Sequence, residues 1–442
     1  MPLRNIVIIA VMAVFSLACY GVSAKNRYAN LFAEALETID AKALYETPQS
    51  ELFDAAMNGM LSKLDMHSQY FAGNRFKTFD EEIRQEFGGV GMYFNRDPET
   101  KHLRVSSAMP DTPAYDAGLL PGDQILEIEG ESTFGMENGR AIEIMRGKPG
   151  TAVELKIESA GVERVVSLVR EKIPVASVHG DVRNRDGTWN FRLKENPRVG
   201  YIRLTKFGDK SVDEFRSALN KLNGTVEGLI VDLRNNSGGL LTGAVDISDM
   251  FLDERLVIVR TKGRGEKLVD EHFSTKEVSF DPNLPLAILI NRESASASEI
   301  VAACLRDHKR AVLIGESSWG KGTVQNVIPI QLHKSALKLT TASYWPPSDI
   351  NFDRSELLNK TGRYGVHPDE GMSVEMTEEE LVENYLQRQK RDLELLLDND
   401  SSNGKAGDDP QSDQPHVDKP LQRAIEYFEK VFGKEVKKVA AK

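Results

Sequence analysis

Ser294-Ala295-Ser296-Ala297-Ser298-Glu299 joins an apolar, strand-like run, Leu284 to Ile290, to a helical stretch, Ala297 to Asp307. A hydroxyl at such a junction sits where unpaired N–H groups and the positive end of the helix dipole gather. That suits Ser296 as a nucleophile whose developing oxyanion is received by the N–H of Ala297. The same residues also make a plain helix cap, with Glu299 completing a capping box against Ser296. A second segment, Gly315 to Gln325, presents Lys321 between two glycines after the strand Ala311 to Ile314. If Thr323 to Ile328 is extended, Lys321, Thr323 and Gln325 share one face and Gln325 can hold the lysine amine. A lysine is a base only when neutral, so burial must bring its pKa down from about 10.4 to near neutrality. A Ser-Lys pair then does the work of the serine and histidine of a triad.

A third segment, Asp232-Leu233-Arg234-Asn235-Asn236-Ser237-Gly238-Gly239-Leu240, ends another apolar strand. Paired glycines permit close backbone approach to a ligand, and the Gly239 N–H is a second candidate oxyanion donor. The competing reading of Gly315-x-x-x-x-Gly320-Lys321 as a phosphate loop is weak: Gly322 stands at the hydroxyl position and no helix pattern follows. The eight histidines are scattered, with no His-Glu-x-x-His and no cysteine pair, so no metal site is expected.

These segments need a scaffold. From 171 to about 380 strands alternate with helices, which predicts an α/β core whose loops after Leu233 and Ile290 form the site walls. The wholly apolar run Gly228 to Leu233 predicts a strand covered on both faces. Residues 86–170 alternate apolar and polar in short stretches and read as a small β-rich domain. Residues 25–85 carry helical spacing, as do Glu378 to Leu397 and Leu421 to Phe432, so helical arms are expected at both ends, with a linker at 398–419. The 442 residues are 40% apolar and 28% charged, an ordinary globular balance. The net charge of -11, with no basic run, argues against nucleic acid. Arg4, the apolar run Ile6 to Tyr20 and Val22-Ser23-Ala24 read as a secretory signal; Ile6 to Ala24 also suits an uncleaved anchor, and Cys19 loosely fits a lipidation box. The one other cysteine, Cys304, leaves the mature chain no internal disulfide.

Four motifs in order resemble the C-terminal processing peptidases, also called tail-specific proteases: Gly89-Val90-Gly91, Asp232 to Gly239, Ser294 to Glu299 and Gly320 to Gln325. The likeness spans roughly 30 to 380 and includes Leu64-Asp65-Met66-His67-Ser68-Gln69-Tyr70 and Gly365-Val366-His367-Pro368-Asp369. Ser237 departs from it, standing where many members have proline. The resemblance implies a PDZ domain inserted before a crotonase-like α/β core, and a serine endopeptidase without cofactor. It assigns Ser296, Lys321 and Gln325 to catalysis and Gly239 and Ala297 to the oxyanion hole. Gly89, Val90, Gly91 and Met92 would bind a peptide carboxylate and strand, and Arg146 would link docking to activation. Asp307, eleven residues past Ser296, is read as structural because a continuous helix sets it about 16 Å away. The implied partners are proteins with apolar C-terminal tails, with a homodimer or an adaptor suited to the arms. The implied location is the periplasm or cell envelope. The alternative of another class is an inactive PDZ scaffold that binds C-termini without cutting.

Overall fold

The computed structural model describes residues 12, 27–184, 187–275, 279–330, 335–355, 362–397 and 417–440. The signal or anchor expectation, apart from residue 12, and 398–416 of the expected linker lie outside them. No helix among the described residues is long and apolar enough to cross a membrane.

The chain divides into two units, Met1–Phe76 with Gln325–Thr340, and Lys77–Val324 with Thr341–Lys442. The first holds helices α1 (Arg27–Lys42) and α2 (Gln49–Leu61) and strand β1 (Gln69–Phe71). Phe32, Phe53 and Tyr70 meet edge to face, with ring centroids 6.4 and 5.9 Å apart. The Asp65 carboxylate accepts the N–H groups of His67 and Ser68, and the Ser68 hydroxyl accepts the Thr340 N–H. The Leu64 to Tyr70 motif is therefore a turn held by its aspartate. It delivers β1 into antiparallel register with Ala336 to Lys338.

The second unit opens with a β-rich module: β2 (Glu86–Gly89), β3 (Met92–Arg96), β4 (Leu103–Ala108), β5 (Gln124–Ile128), helix α3 (Asn138–Met145), β6 (Ala152–Ser159), β7 (Val162–Val169) and β8 (Glu171–Pro174). Its sheet runs β3-β4-β5-β6-β7, which leaves one side of β3 unpaired among the described residues, while β2 pairs with β8. Alternate residues point inward, so Leu103, Val105, Ile125, Ile128, Val153, Leu155 and Ile157 form a core of the module's own.

The remainder of the chain is built on β9 (Val178–His179), β10 (Val199–Leu204), α4 (Ser211–Leu222), β11 (Gly228–Asp232), α5 (Leu241–Asp249), β12 (Val257–Lys262), β13 (Leu268–Phe273), β14 (Leu286–Ile290), α6 (Ala297–Asp307), β15 (Val312–Gly315), β16 (Thr323–Ile330), β17 (Ser335–Trp345), α7 (Glu378–Leu397) and α8 (Lys419–Ala440), with residues 325–330 of β16 and 335–340 of β17 counted in the first unit. The central sheet runs β9-β10-β11-β14-β15, parallel except for the antiparallel edge strand β9. Every residue of β11 and β14 is buried. Leu229, Val231, Ile288 and Ile290 face α4, α5 and α6, whereas Ile230, Ala287 and Leu289 face Leu421, Ala424, Ile425 and Phe428 of α8.

Two expectations are corrected. The C-terminal helix is no arm: α8 is the layer that covers the second face of the sheet. The α/β alternation holds, but the crotonase-like core is not retained. Strands β12, β13 and the end of β17 pair antiparallel apart from the parallel sheet. Runs of apolar residues specify strands; they do not encode how strands are shared among sheets.

Candidate active site

Strand β14 ends at Ile290, and a loop pinned by side chains carries the chain to α6. Asn291 and Asn235 exchange bonds across the two walls: the Asn291 amide donates to Asn235 Oδ1 (2.8 Å), and Asn291 Oδ1 accepts the Asn235 N–H (2.9 Å). The Ser294 hydroxyl donates to the Leu233 carbonyl and that of Ser298 to the Asn236 carbonyl, each at 2.8 Å. The outer two serines of the triplet thus rivet the loop after β11 to the loop after β14. Ser296 lies between them at the start of α6, 5% exposed, with φ 57° and ψ -112°. A non-glycine residue there carries about 1–3 kcal/mol of backbone strain.

Gly238 lies against this residue. A Cβ on it would stand 2.8 Å from Ser296 Cβ and 2.9 Å from Ala297 N, so no side chain fits. Among the described residues neither the Gly239 nor the Ala297 N–H meets an acceptor. The Tyr344 hydroxyl is buried close enough to the Ser296 side chain to interact with it, and burial pushes its pKa up to about 12. The sequence reading missed Tyr344, since a lone tyrosine in a strand carries no local signal.

Lys321 reaches the same place through its main chain: its N–H donates to Glu299 Oε2 at 2.8 Å, and that oxygen also accepts the Ser296 N–H at 2.8 Å. The Gly320 N–H goes to Glu299 and the Gly322 N–H to Asp353. The N–H groups that a phosphate loop would offer at Gly320, Lys321 and Gly322 are therefore already bound to carboxylates, and those of Glu316, Ser318 and Trp319 to main-chain carbonyls. Arg234, just after β11, pairs both with Asp232 at the end of that strand and with Asp418, which caps α8. Asp307, at the far end of α6, accepts the Ser348 N–H. Gln325 belongs to the first unit, where its amide donates to Thr340 Oγ1 at 3.3 Å. No cluster of three metal-ligating side chains occurs among the described residues.

In the β-rich module the Val90 and Gly91 carbonyls accept the N–H groups of Ala114 and Met109, at 2.9 Å each, while their own N–H groups meet no acceptor among the described residues. Gly89 closes β2 and Met92 opens β3, next to that unpaired edge. Arg146 ends α3 with its guanidinium 4.4 Å from the Phe87 ring centroid, on a cavity of about 290 Å³ that Gln85, Val175 and Thr205 also line. Neither Ser296 nor Lys321 lines it.

A parallel sheet with a strained serine at a strand-to-helix junction, preceded by a β-rich docking-type module, defines a hydrolase with an attached peptide-recognition fold. Residues 198–371 match the model of Peptidase family S41, and residues 104–159 match a PDZ domain. The chain is 36% identical to the carboxy-terminal-processing protease of Bartonella bacilliformis, the match covering 73% of each. It is 32% identical to the carboxy-terminal processing protease CtpA of Bacillus subtilis, over 74% of this chain and 66% of that one. Among solved structures, the photosystem II D1 C-terminal processing protease superposes with a TM-score of 0.43 at 25% identity, covering 79% of this chain and 94% of that one. The chain belongs to peptidase family S41: it is an exported serine-type endopeptidase carrying a PDZ domain. This architecture replaces the crotonase-like core that the resemblance implied.

Proposed function

We propose that the enzyme docks the C-terminal tail of a protein substrate on the module at 86–170 and cuts the chain in the core at 171–380 with a Ser-Lys mechanism. The N–H groups of Val90 and Gly91 suit a terminal carboxylate, and the unpaired edge of β3 from Met92 suits an extended peptide. Neutral Lys321 takes the proton of the Ser296 hydroxyl as Oγ attacks the carbonyl carbon. The oxyanion forms against the N–H groups of Gly239 and Ala297, worth several kcal/mol in such holes. The lysine ammonium protonates the leaving amine, and the C–N bond breaks. Lys321 then takes a proton from water as the hydroxide attacks the acyl-enzyme. Collapse releases the new carboxyl terminus, and the proton returns to Ser296. Gln325 is assigned to orient the Lys321 amine and Arg146 to report docking. Periplasm or cell envelope is the proposed place, with residues 1–24 cleaved or kept as an anchor, and a second copy or an adaptor as partner.

The observation that carries this reading is the strained Ser296 packed against Gly238, whose chain neighbour Gly239 and the adjoining Ala297 have N–H groups that meet no acceptor among the described residues. Turnover of an unstructured protein with an apolar C-terminal tail tests it. Ser296→Ala and Lys321→Ala are each expected to abolish cleavage while folding and tail binding persist. Full activity in either variant would sink the dyad, and tail binding by wild type without cutting would favour the scaffold.

A further inference from the structure

We infer that Glu299 is a positioning residue: a single carboxylate that fixes the main chain of Ser296 and the main chain of Lys321 to each other. The inference rests on the reading of these two as nucleophile and base. Glu299 has no exposed surface. Its Oε1 accepts the Ser318 hydroxyl at 2.5 Å and the Gly320 N–H at 2.6 Å; its Oε2 accepts the N–H groups of Ser296 and Lys321, both at 2.8 Å. A carboxylate has about four acceptor sites, and here all are filled by charge-assisted bonds.

A capping box accounts for one of those bonds, the one from Ser296. The other three come from Ser318, Gly320 and Lys321, nineteen to 22 residues further along the chain. Lys321 has no slack on either side. A Cβ on Gly320 would press on Gly365 N and Phe352 O at 3.1 Å, one on Gly322 on Asn351 Oδ1 at 2.6 Å, and the Gly322 N–H is held by Asp353. Ser296 for its part keeps a strained φ that its Oε2 bond helps to hold. One oxygen therefore sets the spacing between the two reacting side chains. The sensitivity is high, because misplacement of about 1 Å costs on the order of 100-fold in rate.

The test compares the full chain with Glu299→Gln and Glu299→Met, reading kcat and KM on the tailed substrate, labelling of Ser296 by a fluorophosphonate, and folding by circular dichroism. Glu299→Met removes every acceptor and is expected to lower kcat on the order of 100-fold with KM within about twofold. Glu299→Gln keeps one carbonyl for Ser296 and Lys321 and can turn its amide toward the Ser318 hydroxyl, so a partial rescue to about tenfold below wild type is expected. If Glu299→Met does not fold, Glu299→Gln decides alone. Wild-type kcat in the glutamine variant, loss of fold in both, or a change in KM alone would overturn the inference and leave the dyad standing. A wild type that is neither labelled nor able to cut would remove the dyad and this inference with it.

Discussion

Glu299 is ionised only at an energetic cost. Burial raises its pKa from the ordinary 4.5 to about 6, against the bonds from Ser318, Lys321, Gly320 and Ser296 that favour the charge. Because the folded value lies above the unfolded one, the native state holds an extra proton between those limits. The stability this supplies is complete below about pH 4.5, falls as pH rises through about 6, and amounts to about 2 kcal/mol. Glu299→Gln has no such titration. Urea melts from about pH 4.5 to 7.5 should therefore show wild type losing about 2 kcal/mol relative to the variant by about pH 6.5 and no more above it. A difference that stays constant with pH would count against the buried charge. Sequence reading saw Glu299 as the partner of Ser296, because a three-residue spacing is a local signal. The bonds to Ser318, Gly320 and Lys321 depend on two loops meeting in space, and no spacing announces them. Lys321 was legible for a different reason: flanking glycines are a backbone requirement that a sequence displays.

The secondary elements that carry the site were largely written in apolar runs. The run Ala297 to Asp307 is α6, and the unbroken apolar stretch after Gly228 is a strand buried on both faces. What covers the second face was not legible, since the amphipathic pattern of α8 says that one side is apolar and not what it meets. The answer lies in Phe428, fully buried with its ring against β11, where a Cβ on Gly228 would stand 2.4 Å away. Phe428→Ala should then behave as a core truncation and cost about 3–5 kcal/mol in urea unfolding. A loss under about 1 kcal/mol would return α8 to the status of a peripheral arm. The same helix is tied to the site wall by Asp418, which pairs with Arg234 beside the Gly238-Gly239 turn. Its N-terminus is thus fastened to the loop that offers the Gly239 N–H.

The β-rich module and the α/β core keep separate sets of buried residues, one around Leu155 and the others around β11 and β14. Separate cores allow separate cooperativity, so damage to one need not disable chemistry in the other. Leu155 has no exposed surface, and Leu155→Ala should remove about 2–5 kcal/mol from the module. If the module only delivers substrate, this variant should bind tail peptides weakly and show a raised KM. A small fluorophosphonate, which needs no docking, should still label Ser296 at the wild-type rate. If labelling falls in step with tail binding, the module also sets the state of the catalytic residues. Arg146 on Phe87, beside the cavity shared with Val175 and Thr205, would then be the first place to look for the link.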